Sequence, residues 1–233
     1  VRILPGLAEL ASGKILVSEL KEVEVSDLLG RNEVAPNKKL LYKNIKDKVV
    51  LITGAGGSIG SEISRQVKKN NPKKIVLLDS NEFSLYSIKN ELSAILPSDN
   101  VFSVLANITN KERISEVCKA FQVDTIYHAA AYKHVPLVEE NPFEALHNNI
   151  IGTKICVECA IQANVETFVL ISTDKAVRPT NIMGATKRFA ELVLQSIENK
   201  GKTSISIVRF GNVIGSSGSA IPLFQDQIRK GGP

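Results

Sequence analysis

Two stretches of this chain hold residue types whose spacing can do chemistry: Thr53-Gly54-Ala55-Gly56-Gly57-Ser58-Ile59-Gly60, and far along the chain Thr173-Asp174-Lys175. The first follows a β-branched run and precedes a helical stretch over 61–69. In that context the spacing Gly54-x-x-Gly57-x-x-Gly60 reads as a cradle for a pyrophosphate. Gly54 allows the tight turn off the strand, Gly57 lets the backbone approach the phosphates, and Gly60 lets the new helix pack against the sheet. Ser58 and Ile59 open that helix, whose N-terminus offers N–H groups and a partial positive charge. Asp79 closes the next apolar run about 20 residues beyond Gly60, where a carboxylate can accept bonds from an adenosine ribose. Its charge repels a 2′-phosphate, which favours NAD over NADP. Thr173, Asp174 and Lys175 put a hydroxyl, a carboxyl and an amine in consecutive positions. Alone they read as a strand end and a solvated turn; at the carboxyl edge of a parallel sheet they stand where ligands bind.

The elements that must position these groups are legible as alternation. From Lys48 onward, short runs rich in β-branched residues (49–52, 75–78, 101–105, 125–127, 167–171 and 205–208) alternate with stretches long enough for crossover helices. The runs mostly lack in-and-out alternation, as expected of strands buried on both faces. Six such repeats predict an α/β fold, a doubly wound parallel sheet of the Rossmann type. In the helix after Lys187, the spacing of Phe189, Leu192, Val193, Ser196 and Ile197 predicts one packing face. Residues 1–47 read as an accessory arm and linker: a short helix over 7–11, an alternating strand over 20–25, a short helix ended by Gly30, and a polar, lysine-rich linker over 32–48. The expected domains are thus an arm over 1–47 and a nucleotide-binding domain over 48–233.

Composition sets the outer bounds. The 233 residues are 43% apolar and 23% charged, with a net charge of +5. That balance suits a globular protein with its own core. No apolar run approaches the ~18 residues of a membrane span, and no basic stripe with interleaved aromatics points to nucleic acid. Cys156 and Cys159 form a CxxC inside an apolar helical stretch, without a second pair or nearby histidines; they read as helix packing, and no metal is expected. His128, His134 and His147 lack ligand partners and read as structural.

Beyond the glycine loop, the chain resembles the extended short-chain dehydrogenase/reductase family. The motifs are His128-Ala129-Ala130-Ala131, Ser172-Thr173-Asp174-Lys175 and Lys187. Tyr132-Lys133-His134-Val135-Pro136-Leu137, Asn149-Ile150-Ile151-Gly152-Thr153, Ala176-Val177-Arg178-Pro179-Thr180-Asn181 and Arg209-Phe210-Gly211-Asn212-Val213 resemble one branch: the nucleotide-sugar 4,6-dehydratases of bacterial polysaccharide biosynthesis, acting on UDP-N-acetylglucosamine. Residues 1–31 resemble the segment before the catalytic domain of long, membrane-anchored members. The resemblance implies an anchor upstream of Val1 at the cytoplasmic face of the inner membrane, a substrate lobe cut short at Gly231-Gly232-Pro233, and a homo-oligomer.

The implied reaction oxidises carbon 4 of the sugar with tightly bound NAD, eliminates water across carbons 5 and 6, and returns the hydride to carbon 6. Lys175 is the candidate base at carbon 5, made neutral by burial or by the charges of Lys187 and Lys133. Asp174 is the candidate acid for the carbon 6 hydroxyl and must be held protonated. Thr173 should bond the carbon 4 hydroxyl, and the proton released there leaves through Thr173, Asp174 or water. Met183 stands four residues before Lys187, where the wider family has Tyr; in this branch the resemblance makes Met characteristic. Lys187 is expected at the nicotinamide ribose. Asn107 and Ile108 fall where the family meets adenine, with the Asn107 amide oxygen accepting from the amino group. Ala129, Ala130 and Ala131 are small enough for backbone to reach the cofactor, and Lys133 and Asn212 are candidate contacts to the UDP-sugar. Two other readings stay open: a nucleotide-sugar epimerase on the same fold, and an NAD-binding module without turnover.

Overall fold

The computed structural model describes residues 36–95, 100–197, 202–213 and 220–232. The chain divides into two compact units, Val1–Pro36 and Asn37–Pro233, and every described helix and strand belongs to the second. The elements expected over 7–11, 20–25 and 26–30 lie outside the described residues.

In chain order the elements are α1 (Lys38–Ile45), β1 (Val49–Thr53), α2 (Ser58–Lys68), β2 (Lys74–Asp79), α3 (Glu82–Ile95), β3 (Val101–Leu105), α4 (Lys111–Phe121) and β4 (Thr125–His128). There follow α5 (Val135–Glu140), α6 (Pro142–Leu146), a π-helical segment His147–Gly152, α7 (Thr153–Gln162), β5 (Thr167–Thr173), a 3-10 turn Asp174–Ala176, α8 (Ile182–Ser196), β6 (Ser204–Phe210) and α9 (Ala220–Arg229). All six apolar runs form strands. They pair in parallel in the order β3-β2-β1-β4-β5-β6. The doubly wound Rossmann-type fold expected from the sequence is the one observed.

The unbroken apolar runs are explained by the two core clusters. Val49, Leu51, Val76 and Leu78 point to one face of the sheet, among residues of α4, α7 and α8. Val50, Ile52, Ile75 and Leu77 point to the other, among residues of α1, α2 and α3. Alternate side chains of a strand leave opposite faces, so a strand covered on both sides must be apolar throughout. The strand order turns back between β1 and β4. Their carboxyl ends therefore open a crevice, with the glycine loop on one side and Ala129-Ala130-Ala131 on the other.

Two expectations are corrected. The stretch read as a linker over 32–48 contains α1, capped by the Asn37 side chain, which accepts from the N–H groups of Lys39 and Leu40. Its last residue, Ile45, is buried, with Leu41 packed against the same cluster one turn earlier. Lysines on the solvent face hid this one-sided apolar contact. On α8 the expected packing face holds only at its end: Phe189 is 56% and Leu192 42% exposed, while Ile197, just past the helix, packs against the first core cluster. The buried face is Met183, Gly184, Thr186, Lys187, Ala190, Glu191 and Leu194. Apolar spacing misses a helix face that buries a lysine and a glutamate. The CxxC reading holds: Cys118, Cys156 and Cys159 are free thiols buried in the core. Burial pushes the Cys118 thiol up to about 12.

Candidate active site

The glycine loop is shaped by contacts that leave no room for side chains. Gly54 has φ +66°, and a Cβ there would lie 2.6 Å from the Ala130 nitrogen. A left-handed backbone and the close passage of the β4 loop both demand glycine. At Gly60 a Cβ would fall 2.0 Å from the Gly54 oxygen, so α2 packs directly on the turn. Gly57 caps α2 without a side-chain bond, and its nearest neighbour to a Cβ is 3.4 Å away. The close packing at Gly54 and Gly60 and the openness at Gly57 are the division expected of a phosphate loop. Together with Ser58 and Ile59 these glycines line a cavity of about 480 Å³ that also takes in Ala129, Ala131 and Lys133.

Asp79 closes β2 beside a second cavity of about 330 Å³, which adjoins the first along Gly54, Gly57 and Ala129 and includes Ala130, Asn107 and Ile108. One carboxylate oxygen accepts from the Gly56 N–H at 2.8 Å and the other from the Asn81 N–H at 2.9 Å. The carboxylate thus braces the loop from the side of this second cavity. Gly56, which the sequence spacing did not single out, is needed too: a Cβ would lie 2.4 Å from Ser84 Cβ. Asn107 lines this cavity as expected, with its amide oxygen turned into its own loop. Its amide oxygen already accepts from the Thr109 N–H at 3.0 Å and the Thr109 hydroxyl at 2.9 Å, so both acceptor directions are used within the turn. Ile108 is buried against the π-helical segment at Gly152.

A third cavity, about 280 Å³, lies at the ends of β5 and β6 and brings together Thr173, Lys175, Met183, Lys187, Lys133 and Asn212. Asp174 is not on its wall, but Gly211 at the end of β6 faces it: a Cβ there would sit 3.5 Å from Asp174 Oδ2. The Thr173 hydroxyl donates to Asp174 Oδ1 at 3.0 Å. Lys175 Nζ donates to the same oxygen at 3.3 Å and to Asn212 Oδ1 at 2.9 Å. A Cβ at Gly184 would lie 2.4 Å from the Lys175 oxygen, so the start of α8 seats the 3-10 turn that carries the lysine.

The protonation state of Asp174 differs from the one expected. The bond from Thr173, and then that from Lys175, hold the exposed Asp174 carboxyl below its ordinary value, so it rests as a carboxylate. Lys175 has a side chain 38% exposed and bonds to an anion and an amide, on the cavity wall it shares with Lys187 and Lys133. The buried lysine is Lys187, 6% exposed, whose Nζ donates to the Ile171 carbonyl at 2.8 Å. Burial pulls its ammonium down to about 8 against the opposing charge of Glu191. Asn212 was expected at the sugar, but its amide oxygen is engaged by Lys175.

Two supports escaped the sequence reading. Asn149, buried in the π-helical segment, accepts from the Tyr132 N–H at 2.8 Å and donates to the Tyr132 carbonyl at 3.1 Å, clamping the loop that carries Lys133. Glu191 gathers Ser172, Arg188 and Arg209. His128 is structural, as expected. Thr153 donates its hydroxyl proton to the Asn149 carbonyl, so its oxygen takes the His128 Nε2–H at 3.0 Å. Nδ1 is left to accept from Thr53 at 2.7 Å. Burial, aided by Lys187, drives this imidazole down to about 3. Among the described residues no cluster could hold a metal ion, and no helix is long and apolar enough to cross a membrane.

Residues 50–233 match the polysaccharide biosynthesis protein family. The chain belongs to that family. Its relatives include the capsular polysaccharide biosynthesis protein CapD of Staphylococcus aureus, 54% identical over 99% of this chain and 39% of the relative. Another is a UDP-N-acetylglucosamine 4,6-dehydratase (inverting) of Campylobacter jejuni, 35% identical over 79% of this chain and 54% of the relative. The structure of the dTDP-glucose 4,6-dehydratase DesIV of Streptomyces venezuelae, with NAD and TYD bound, superposes with a TM-score of 0.67 at 23% identity, over 79% of this chain and 63% of that one. Nucleotide-sugar dehydratases and epimerases both stand among the relatives of this family member. That bears out the resemblance to extended short-chain dehydrogenase/reductases. The chain spans 39% of the length of the capsular relative.

Proposed function

We propose that this chain carries the cofactor half and the reacting residues of an NAD-dependent nucleotide-sugar 4,6-dehydratase, with UDP-N-acetylglucosamine as substrate. The observation that carries the reading is the contact of Thr173, Asp174 and Lys175 at the carboxyl edge of β5, one cavity away from the glycine loop. An epimerase needs oxidation at carbon 4 but no acid–base pair for elimination.

The residues fit NAD. The cradle at Gly54, Gly57 and Gly60 suits a pyrophosphate at a helix N-terminus, and Asp79 lies where the adenosine ribose would sit and repels a 2′-phosphate. When bound, NAD supplies the hydride acceptor for carbon 4 and the hydride donor for carbon 6.

The chain's own groups account for the protons. The carbon 4 hydroxyl donates to Thr173, whose proton already points at Asp174 Oδ1. With no tyrosine at position 183, this pair is the route by which that proton leaves, and a resting carboxylate is the state that can receive it. Asp174 thereby becomes the acid that later protonates the departing carbon 6 hydroxyl. Its negative charge is cancelled at the same moment, leaving Lys175 beside a neutral acid and the Asn212 amide. Lys175, whose side chain is 38% exposed, gives up its ammonium proton to solvent once the carboxylate beside it is neutralised. Its free amine then takes the carbon 5 proton, which the ketone at carbon 4 has acidified, and returns a proton there at the end. Lys133 is assigned to the UDP-sugar, and Lys187 to the nicotinamide ribose.

Mass spectrometry of UDP-N-acetylglucosamine incubated with the protein in deuterated water tests the reading. A product lighter by one water and carrying solvent deuterium at carbon 5 supports it. A product of unchanged mass with an altered sugar supports the epimerase, and bound NAD without turnover supports a binding module.

A further inference from the structure

Glu191 is the one fully buried acidic side chain among the described residues, 0% exposed on α8, one turn beyond Lys187. Its carboxylate accepts from the Ser172 hydroxyl at 2.6 Å, from Arg188 at 3.0 Å, and from Arg209 through Nε at 2.8 Å and again through Nη2. Burial works to raise the carboxyl, but the bonds from Arg209, Ser172 and Arg188 outweigh it and bring the group down to about 2. Well-packed apolar side chains are often as stabilising as a buried ion pair. Stability alone is therefore a weak reason for a carboxylate at this position.

Its location supplies a better one. Ser172 and Arg209 are paired in register across β5 and β6. The residue after Ser172 is Thr173, and three residues after Arg209 comes Asn212, the partner of Lys175. Glu191 therefore fastens from below the two strand ends from which the reacting groups project. The groups around Lys187 from the other packed elements are His128 on β4, Lys175 on the 3-10 turn, and Lys133 and His134 across the cavity. None of these is an anion, so Glu191 is the counter-charge that the structure gives it.

We propose that Glu191 is a positioning residue of the reaction site, locking the ends of β5 and β6 through Ser172 and Arg209 and keeping Lys187 charged at the cavity wall. The assignment rests on the reading of Thr173, Asp174 and Lys175 as reacting groups, but part of its test does not. In the intact protein with ¹³C-labelled lysine, Lys187→Met identifies the Lys187 signal, whose titration is followed by NMR without any sugar. In Glu191→Gln, Lys187 is expected to titrate about one pH unit lower or more. With UDP-N-acetylglucosamine, the same variant is expected to lose about tenfold or more in kcat with little change in KM, and its alkaline limb should move to lower pH. Ser172→Ala keeps the carboxylate, so kcat should fall while the Lys187 titration stays in place; this variant decides the matter if the glutamine variant fails to fold. An unmoved Lys187 titration in folded Glu191→Gln, or full kcat in Ser172→Ala, overturns the proposal. A wild-type protein that does not convert the sugar would instead overturn the dehydratase reading, and the NMR titration would still decide the role of Glu191.

Discussion

Asp174 and Lys175 are adjacent in sequence and joined in space, with Lys175 Nζ 3.3 Å from Asp174 Oδ1, the oxygen that also receives the Thr173 hydroxyl. One acceptor thus serves both the hydroxyl proposed to meet carbon 4 and the amine proposed to meet carbon 5. Asp174→Asn removes the proton acceptor, and Lys175→Met removes the base. Either change is expected to lower dehydration by a factor of about 10² to 10⁴ while leaving NAD affinity within about threefold. Stopped turnover with retained cofactor binding, followed by mass spectrometry and fluorescence titration, is the expected pattern; full activity in either variant refutes the roles.

The phosphate loop makes a different prediction, about space. A Cβ at Gly60 would overlap the Gly54 oxygen, which is backbone and cannot swing aside. Gly60→Ala should cost roughly 1–3 kcal/mol or more of stability, as overpacking does, and weaken NAD binding at least tenfold. At Gly57 the nearest atom is 3.4 Å away, so Gly57→Ala should leave the melting temperature nearly unchanged and weaken the cofactor alone. Equal loss of stability at both positions would contradict this division.

Asp79 braces Gly56 with one oxygen and lines the cavity proposed to take the adenosine. Asp79→Asn retains an acceptor but removes the charge. NAD affinity should fall by about tenfold, in line with the loss of a charge-assisted bond, and discrimination against NADP should shrink. Dissociation constants for both dinucleotides measure this, and unchanged discrimination would show that the carboxylate does not face the ribose.

His128 contributes a pH dependence to folding. Its folded value of about 3 lies below the ordinary 6.5, so between these limits the unfolded chain binds the extra proton. Its contribution to stability is therefore fully present above pH 6.5 and is lost as the pH falls. From pH 7 to pH 5 the loss should be about 2 kcal/mol. Urea midpoints of the wild type and of His128→Gln over that interval isolate the effect, because the variant lacks the titrating ring.

The orientation of α8 predicts an asymmetry in its mutants. Leu194 is buried and Phe189 exposed. Leu194→Ala should cost about 2–5 kcal/mol, whereas Phe189→Ser should stay within about 0.5 kcal/mol in the isolated chain. Chemical denaturation of both variants reads the difference.

How much of this was legible in the amino-acid order depends on the range of the interactions involved. The six strands, their parallel arrangement and the phosphate loop rest on local signals: unbroken β-branched runs, a glycine spacing between a strand and a helix, and an acidic residue at the next strand end. Thr173-Asp174-Lys175 was visible as a motif for the same reason. Charge state and helix orientation were not, because they depend on what the sheet brings alongside. The Asp174 carboxylate is fixed by Thr173 and Lys175 only once the turn after β5 is folded. Lys187 was expected at the cofactor and Glu191 was not singled out, yet both are buried, because the inner face of α8 lies over the strand ends, where Glu191 accepts from Ser172 and Arg209. Apolar spacing therefore pointed to Phe189 and Leu192 along with Ile197, and the packing of the sheet edge turned the first two outward. Chain order alone pointed to the cofactor cradle and to Thr173-Asp174-Lys175 as the proposed reacting groups; tertiary structure decided the charge of Asp174 and the burial of Lys187 and Glu191, because these depend on partners brought together only by the fold.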